Sequence, residues 1–107
     1  DHGEEVYDFR LLHGRTDLKT DDPRALHSQL DIPFMLYVSP RYAATHPQQV
    51  ERIKRSLDRP FMTDNLPQLI FDLLGVRTKY YKPESSVINY AYRPQKQRKL
   101  QVGREYN

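Results

Sequence analysis

The sequence predicts an α/β fold, and three observations carry that reading. The first is IPFMLYVSP, residues 32–40, whose apolar stretch Phe34 to Val38 is nearly uninterrupted and bracketed by Pro33 and Pro40. A short continuous apolar run is the pattern of a strand buried on both faces, in a sheet covered by helices. The second is the pair of amphipathic helical patterns that follows it, THPQQVERIKRSLD and DNLPQLIFDLLGV. The third is the scarcity of other strand candidates. A strand buried on both faces needs neighbours, so the sheet is expected to be incomplete on its own.

Taken in order, residues 1–31 are polar and irregular. TDLKTDDP, residues 16–23, reads as an exposed loop, with a short helical turn over Arg24 to Leu30. After the strand, Thr45 is a candidate cap and Pro47 falls in a first turn, where a missing N–H costs little. Val50, Ile53 and Leu57 recur at helical spacing and predict a short amphipathic surface helix. In the next helix Asp64 is the expected cap and Pro67 lies in the first turn. Leu66, Leu69, Ile70, Leu73 and Leu74 form its apolar face, and Gly75 closes it at the C′ position. Beyond Gly75, Tyr80, Tyr81, Tyr90 and Tyr92 precede Arg93, Lys96, Arg98, Lys99 and Arg104. Extended or irregular backbone is expected there, with a short terminal strand near Leu100 to Val102. The organisation is therefore a polar segment at 1–31, a strand plus two helices at 32–76, and a Tyr-rich basic tail at 77–107.

Composition narrows the function classes. With 107 residues the chain is one small domain at most, and 37% hydrophobic against 29% charged residues is polar but not the composition of a disordered chain. Its formal charge of +3 is weakly basic and compatible with an anionic lipid surface. There is no cysteine, so neither a disulfide framework nor a thiolate metal site exists. No stretch reaches the ~20 apolar residues of a membrane-spanning helix.

Two short motifs carry chemistry. DHGEE, residues 1–5, places Asp1 beside His2, and carboxylate and neutral imidazole are ordinary ligands of zinc and similar metals. On a loop leaving a strand, adjacent side chains can both turn inward, and Gly3 permits the sharp turn and close backbone approach. The alternative is a capping box, with Asp1 as N-cap and Glu4 three residues later. LLHGR supplies His13, which a loop of about ten residues can fold back over the same site. Arg10 and Arg15 flank that loop and suit a phosphate, or else are solvated surface charge. His27 and His46 carry no pattern and read as structural. The tyrosine-basic tail has the elements of a single-strand nucleic-acid binder, but no RNA-binding signature accompanies them, and a solvated edge packed by a few aromatics is the favoured reading.

Together, DHGEEVYD, LLHGR, IPFMLYVSPRY and RPFMTDNLPQLIFDLLGV, in that order, resemble the C-terminal part of the phosphoethanolamine transferases, sulfatase-like enzymes of the alkaline phosphatase superfamily. The resemblance runs from residue 1 to about residue 90. It implies an alkaline phosphatase/sulfatase-like three-layer α/β/α sandwich, of which this chain is a C-terminal fragment beginning inside the active site. It implies that Asp1 and His2 ligate a catalytic zinc, and that His13 contacts the phosphoryl group or headgroup as a catalytic and substrate-binding residue beside Arg15. The nucleophilic threonine, the remaining zinc ligand and the membrane helices are then expected upstream, in a missing N-terminal part of the protein. The implied parent sits in a bacterial inner membrane with its catalytic domain in the periplasm. It moves phosphoethanolamine from phosphatidylethanolamine to lipid A or the lipopolysaccharide core. The fragment alone is expected to be inactive, with an incomplete zinc site, and to self-associate or exchange strands through its open edges. Two alternatives stay open: a sulfatase- or phosphatase-type hydrolase of the same superfamily, and a small basic binding module.

Overall fold

A computed structural model describes residues 2–4, 6, 22–94, 98–99 and 105–106, and the chain divides into two compact units, residues 1–35 with 97–107 and residues 36–96.

The first unit is built on α1, Pro23–Leu30. Asp22 caps it, its carboxylate accepting the Arg24 N–H at 3.0 Å, and Pro23 occupies the first turn. The Arg24 guanidinium returns two further bonds to the same carboxylate and holds the Asp22 carboxyl below the usual range. Ala25 and Gln29 form its buried face. The same unit holds two short strands, β1 (Arg98–Lys99) and β2 (Glu105–Tyr106). They pair antiparallel with Arg98 opposite Tyr106 and Lys99 opposite Glu105. The strand expected near Leu100 to Val102 lies outside the described residues.

The second unit holds α2 (Pro40–Thr45), α3 (Pro47–Arg55) and α4 (Leu66–Leu74), with single 3-10 turns at Thr63–Asn65 and Pro83–Ser85. Leu69, Val87 and Ile88 are its buried core, and Ile53, Phe61, Leu66, Leu73 and Tyr92 pack around them. Gly75 ends α4 in the left-handed region at φ 66°. The Gly75 N–H then reaches the Asp72 carbonyl at 3.2 Å and the Val76 N–H reaches the Phe71 carbonyl at 2.9 Å, the Schellman pattern. The last carbonyls of α4 also recruit side chains. The Tyr42 hydroxyl donates to the Leu73 carbonyl at 2.9 Å, and the Gln49 amide donates to the Asp72 carbonyl at 2.6 Å. Helix ends leave four such acceptors open, so these two bonds tie α2 and α3 to the end of α4. Arg59 does the same for the following turn, its Nη1 donating to the Val87 and Asn89 carbonyls at 2.8 Å each.

The α/β sandwich expectation is overturned. The described residues are mainly helical, and their only strands are the two-residue pair β1 and β2. Residues 31–39 form neither helix nor paired strand. The run expected to be buried on both faces is open to solvent, with Met35 86% and Tyr37 84% exposed. Apolar composition signals that a segment gains by burial, but strand structure also needs a hydrogen-bonding edge, and the described residues provide none beside this run. Thr45 is not the cap of α3. It ends α2, its hydroxyl donating back to the Arg41 carbonyl at 3.0 Å, and the N-cap of α3 is His46, which makes no side-chain cap hydrogen bond. Helix α2 itself was not expected; Ser39 caps it, accepting the Tyr42 N–H at 3.1 Å. Asp64 lies in the 3-10 turn before α4 rather than capping it. Leu57 falls beyond α3 and is 76% exposed.

Candidate functional site

Of the residues the sequence singles out for chemistry, His2 and its neighbours Gly3 and Glu4 are described, while Asp1, His13 and Arg15 lie outside the described residues. Residues 2–4 are not helical, which removes the capping-box reading of DHGEE. They dock instead against the C-terminal end of α1, where the Gly3 N–H donates to the Gln29 carbonyl at 2.8 Å. Glycine is required there by space, because a Cβ at position 3 would collide with the Ser28 carbonyl oxygen. The close backbone approach expected of Gly3 is therefore real, and what it approaches is α1.

This docking sets the imidazole of His2. Its Nδ1 lies 2.9 Å from the Gly3 carbonyl oxygen and 3.7 Å from a Glu4 carboxylate oxygen. A carbonyl accepts only, so the tautomer that makes this bond carries its proton on Nδ1 and its lone pair on Nε2. That is the arrangement of a metal-binding histidine whose second nitrogen is held by a backbone carbonyl. In donor type, an aspartate beside such a histidine fits zinc. No group of three His, Cys, Asp or Glu side chains able to hold a metal ion is found among the described residues. The chemistry these residues offer is thus one positioned imidazole with a carboxylate beside it.

Two arrangements were not visible to sequence reasoning. His27 in the last turn of α1 and Asp31 at its C-cap approach to 2.6 Å on the surface; the i,i+4 spacing of an imidazole and an acid was the available signal. Asp72 is the other. Its side chain is fully buried on the face of α4 that carries Leu69. Its carboxylate accepts the Tyr81 hydroxyl at 2.6 Å and the Asn89 amide at 3.1 Å, with Arg77 at 3.5 Å. The buried Ser86 hydroxyl lies against the same carboxylate outside good hydrogen-bond alignment. Burial works against the charge. The Tyr81 and Asn89 donors, the nearby Ser86 hydroxyl and the Arg77 charge overcome it and hold the Asp72 carboxyl below the usual range. Burial, then the Asp72 carboxylate, pushes the Tyr81 phenol up, so it remains a donor. The signal in the sequence was one acid inside an apolar nine-residue helix, but its hydrogen-bond donors lie nine and seventeen residues onward.

Compared with known proteins, the chain defines itself as a relative of phosphoethanolamine transferases. It is 35% identical over 89 residues to phosphoethanolamine transferase EptC of Escherichia coli strain K12, and equally to EptC of E. coli O18:K1:H7 strain RS218. It is 32% identical over 89 residues to phosphoethanolamine transferase CptA of Salmonella typhimurium strain LT2. Each match takes in 83% of this chain and 14% of the relative, so the chain spans about one seventh of the length of the curated relatives it matches. No protein-family model matches it. No solved structure matches it either.

Proposed function

We propose that this chain is a segment of a zinc-dependent phosphoethanolamine transferase that moves phosphoethanolamine from phosphatidylethanolamine to lipid A or the lipopolysaccharide core. The observation that carries the reading is the 35% identity to EptC over 83% of the chain. The parent is a membrane-anchored enzyme with its catalytic domain in the periplasm. Among the described residues no helix is long and apolar enough to cross a membrane.

In this reading Asp1 and His2 would hold zinc. The metal would supply a lowered pKa for the nucleophile and charge for the phosphoryl oxygens. His2 contributes the Nε2 lone pair, oriented by the Gly3 carbonyl. Gly3 fixes the backbone next to His2 on the end of α1. His13 steadies the phosphoryl charge or protonates a leaving oxygen, and Arg15 binds the anionic substrate. The threonine nucleophile is contributed by residues outside this chain, and the chain alone does not turn over. Hydrolysis by a sulfatase- or phosphatase-type relative is the second reading, since the same ligand pair serves both reactions.

The test is the longer reading frame that contains these residues, assayed with phosphatidylethanolamine and lipopolysaccharide by mass spectrometry of the acceptor. Asp1→Ala and His2→Ala are each expected to lower zinc content and to abolish transfer. Transfer that persists at the wild-type rate in both variants would exclude these residues from the metal site. Release of free phosphoethanolamine with no modified acceptor would favour the hydrolase.

A further inference from the structure

We infer that the face formed by α3 and Tyr90 docks on an anionic phospholipid surface. Residues 36–96 carry ten Lys and Arg against five Asp and Glu, a formal excess of five positive charges. Three of those cations, Arg52, Lys54 and Arg55, lie within four residues of α3. Arg52 and Arg55 converge on one ring, their guanidinium carbons 5.1 and 5.8 Å from the centroid of Tyr90, which is itself 60% exposed. Glu51 neutralises Arg55 at 3.0 Å. Arg52 has one long hydrogen bond, 3.4 Å to the Gln49 side-chain oxygen, and no ion pair among the described residues. With Arg55 paired to Glu51, Arg52 is the cation of this pair left for an external anion. Beside Arg52 an open recess of about 510 Å³, lined by Pro47, Gln48, Glu51 and Tyr90, has room for a phosphate group, which a guanidinium fork binds through two parallel hydrogen bonds.

The neighbouring side chains favour a lipid surface over other polyanions. Leu57, in the turn directly after α3, is 76% exposed. An exposed leucine two residues after Arg55, and an exposed amphipathic tyrosine against Arg52 and Arg55, supply the chemistry of an interfacial contact, with apolar groups entering the headgroup boundary while cations meet phosphates. A single-stranded nucleic acid would stack on the Tyr90 ring, against which Arg52 and Arg55 already lie, and it would leave the exposed Leu57 without an apolar partner. This inference does not depend on the transferase reading.

The test is co-sedimentation of the 107-residue chain with phosphatidylglycerol–phosphatidylcholine vesicles against pure phosphatidylcholine vesicles, at two salt concentrations. Binding is expected to the anionic vesicles only and to weaken with salt. Arg52→Gln should weaken it about fivefold. Tyr90→Ala, which leaves the net charge unchanged, should weaken it about as much, whereas Tyr90→Phe keeps it. Lys82→Gln, removing one charge elsewhere in the same unit, should cost less than about twofold. Hydrogen exchange on the wild-type chain gives a readout that needs no variant: vesicles should slow exchange over residues 47–57. Absence of binding, equal losses in Lys82→Gln and Arg52→Gln, an unaffected Tyr90→Ala, or a single-stranded oligonucleotide bound more tightly than the anionic vesicles would each overturn the inference.

Discussion

The two units of this chain solve the same problem with opposite means. Residues 36–96 are basic overall and hold together through an apolar core of Leu69, Val87 and Ile88 with one buried carboxylate, Asp72, ringed by donors. Residues 1–35 with 97–107 carry nine Asp and Glu against seven Lys and Arg, and their described buried side chains are only Ala25 and Gln29. There the organising contact is backbone against backbone, Gly3 on the end of α1. Among the described residues, the apolar core lies in the unit that does not carry the proposed metal ligands. A ligand loop needs its backbone fixed at a few points, and a glycine packed on a carbonyl oxygen does that with little apolar burial.

The difference can be broken most severely at Asp72. Asp72→Ala strips the carboxylate from two half-buried donors, Tyr81 and Asn89, and from the exposed Arg77 guanidinium, and should lower stability by about 3 kcal/mol, read as the shift in urea midpoint. The pH dependence follows in sign. The folded carboxyl lies below its unfolded value of about 3.9, so its contribution is complete above that value and is lost as pH falls through the lower folded one. The wild type should therefore lose stability more steeply than Asp72→Asn as pH falls below about 4.

Next in size is Gly3→Ala, which drives a Cβ into the Ser28 carbonyl and should cost the first unit about 1–3 kcal/mol locally. The sharper readout is hydrogen exchange at the residue 3 amide, which should lose its protection while residues 66–74 keep theirs. Gly75→Ala should cost about 1 kcal/mol, from the left-handed backbone alone, because nothing lies within 4 Å of the added methyl. Tyr42→Phe, removing the hydroxyl that serves the Leu73 carbonyl, should cost about 1 kcal/mol by thermal or urea unfolding.

The sequence made α4 legible because every local signal agreed: proline in the first turn, a leucine face, glycine in the C′ position. It made Gly3 legible as a close-approach position, though not what it approaches. It misled at Phe34 to Val38, because five apolar residues state a preference for burial without naming the partner or the backbone pairing. Helix α2 had a usable signal in Ser39-Pro40, a cap followed by a first-turn proline, which the strand reading absorbed. Asp72 and the Arg52–Arg55–Tyr90 cluster were illegible for a different reason. Each joins an element to residues far along the chain, and no local period connects Arg52 with Tyr90.

The central claim is that these residues are an interchangeable segment of a phosphoethanolamine transferase. The direct measurement replaces the matched segment of E. coli EptC with the corresponding residues of this chain and assays phosphoethanolamine transfer to lipopolysaccharide. A folded, membrane-inserted chimera that transfers the group, and loses transfer on His2→Ala, is the predicted result. A chimera equally folded and abundant that transfers nothing would contradict the account.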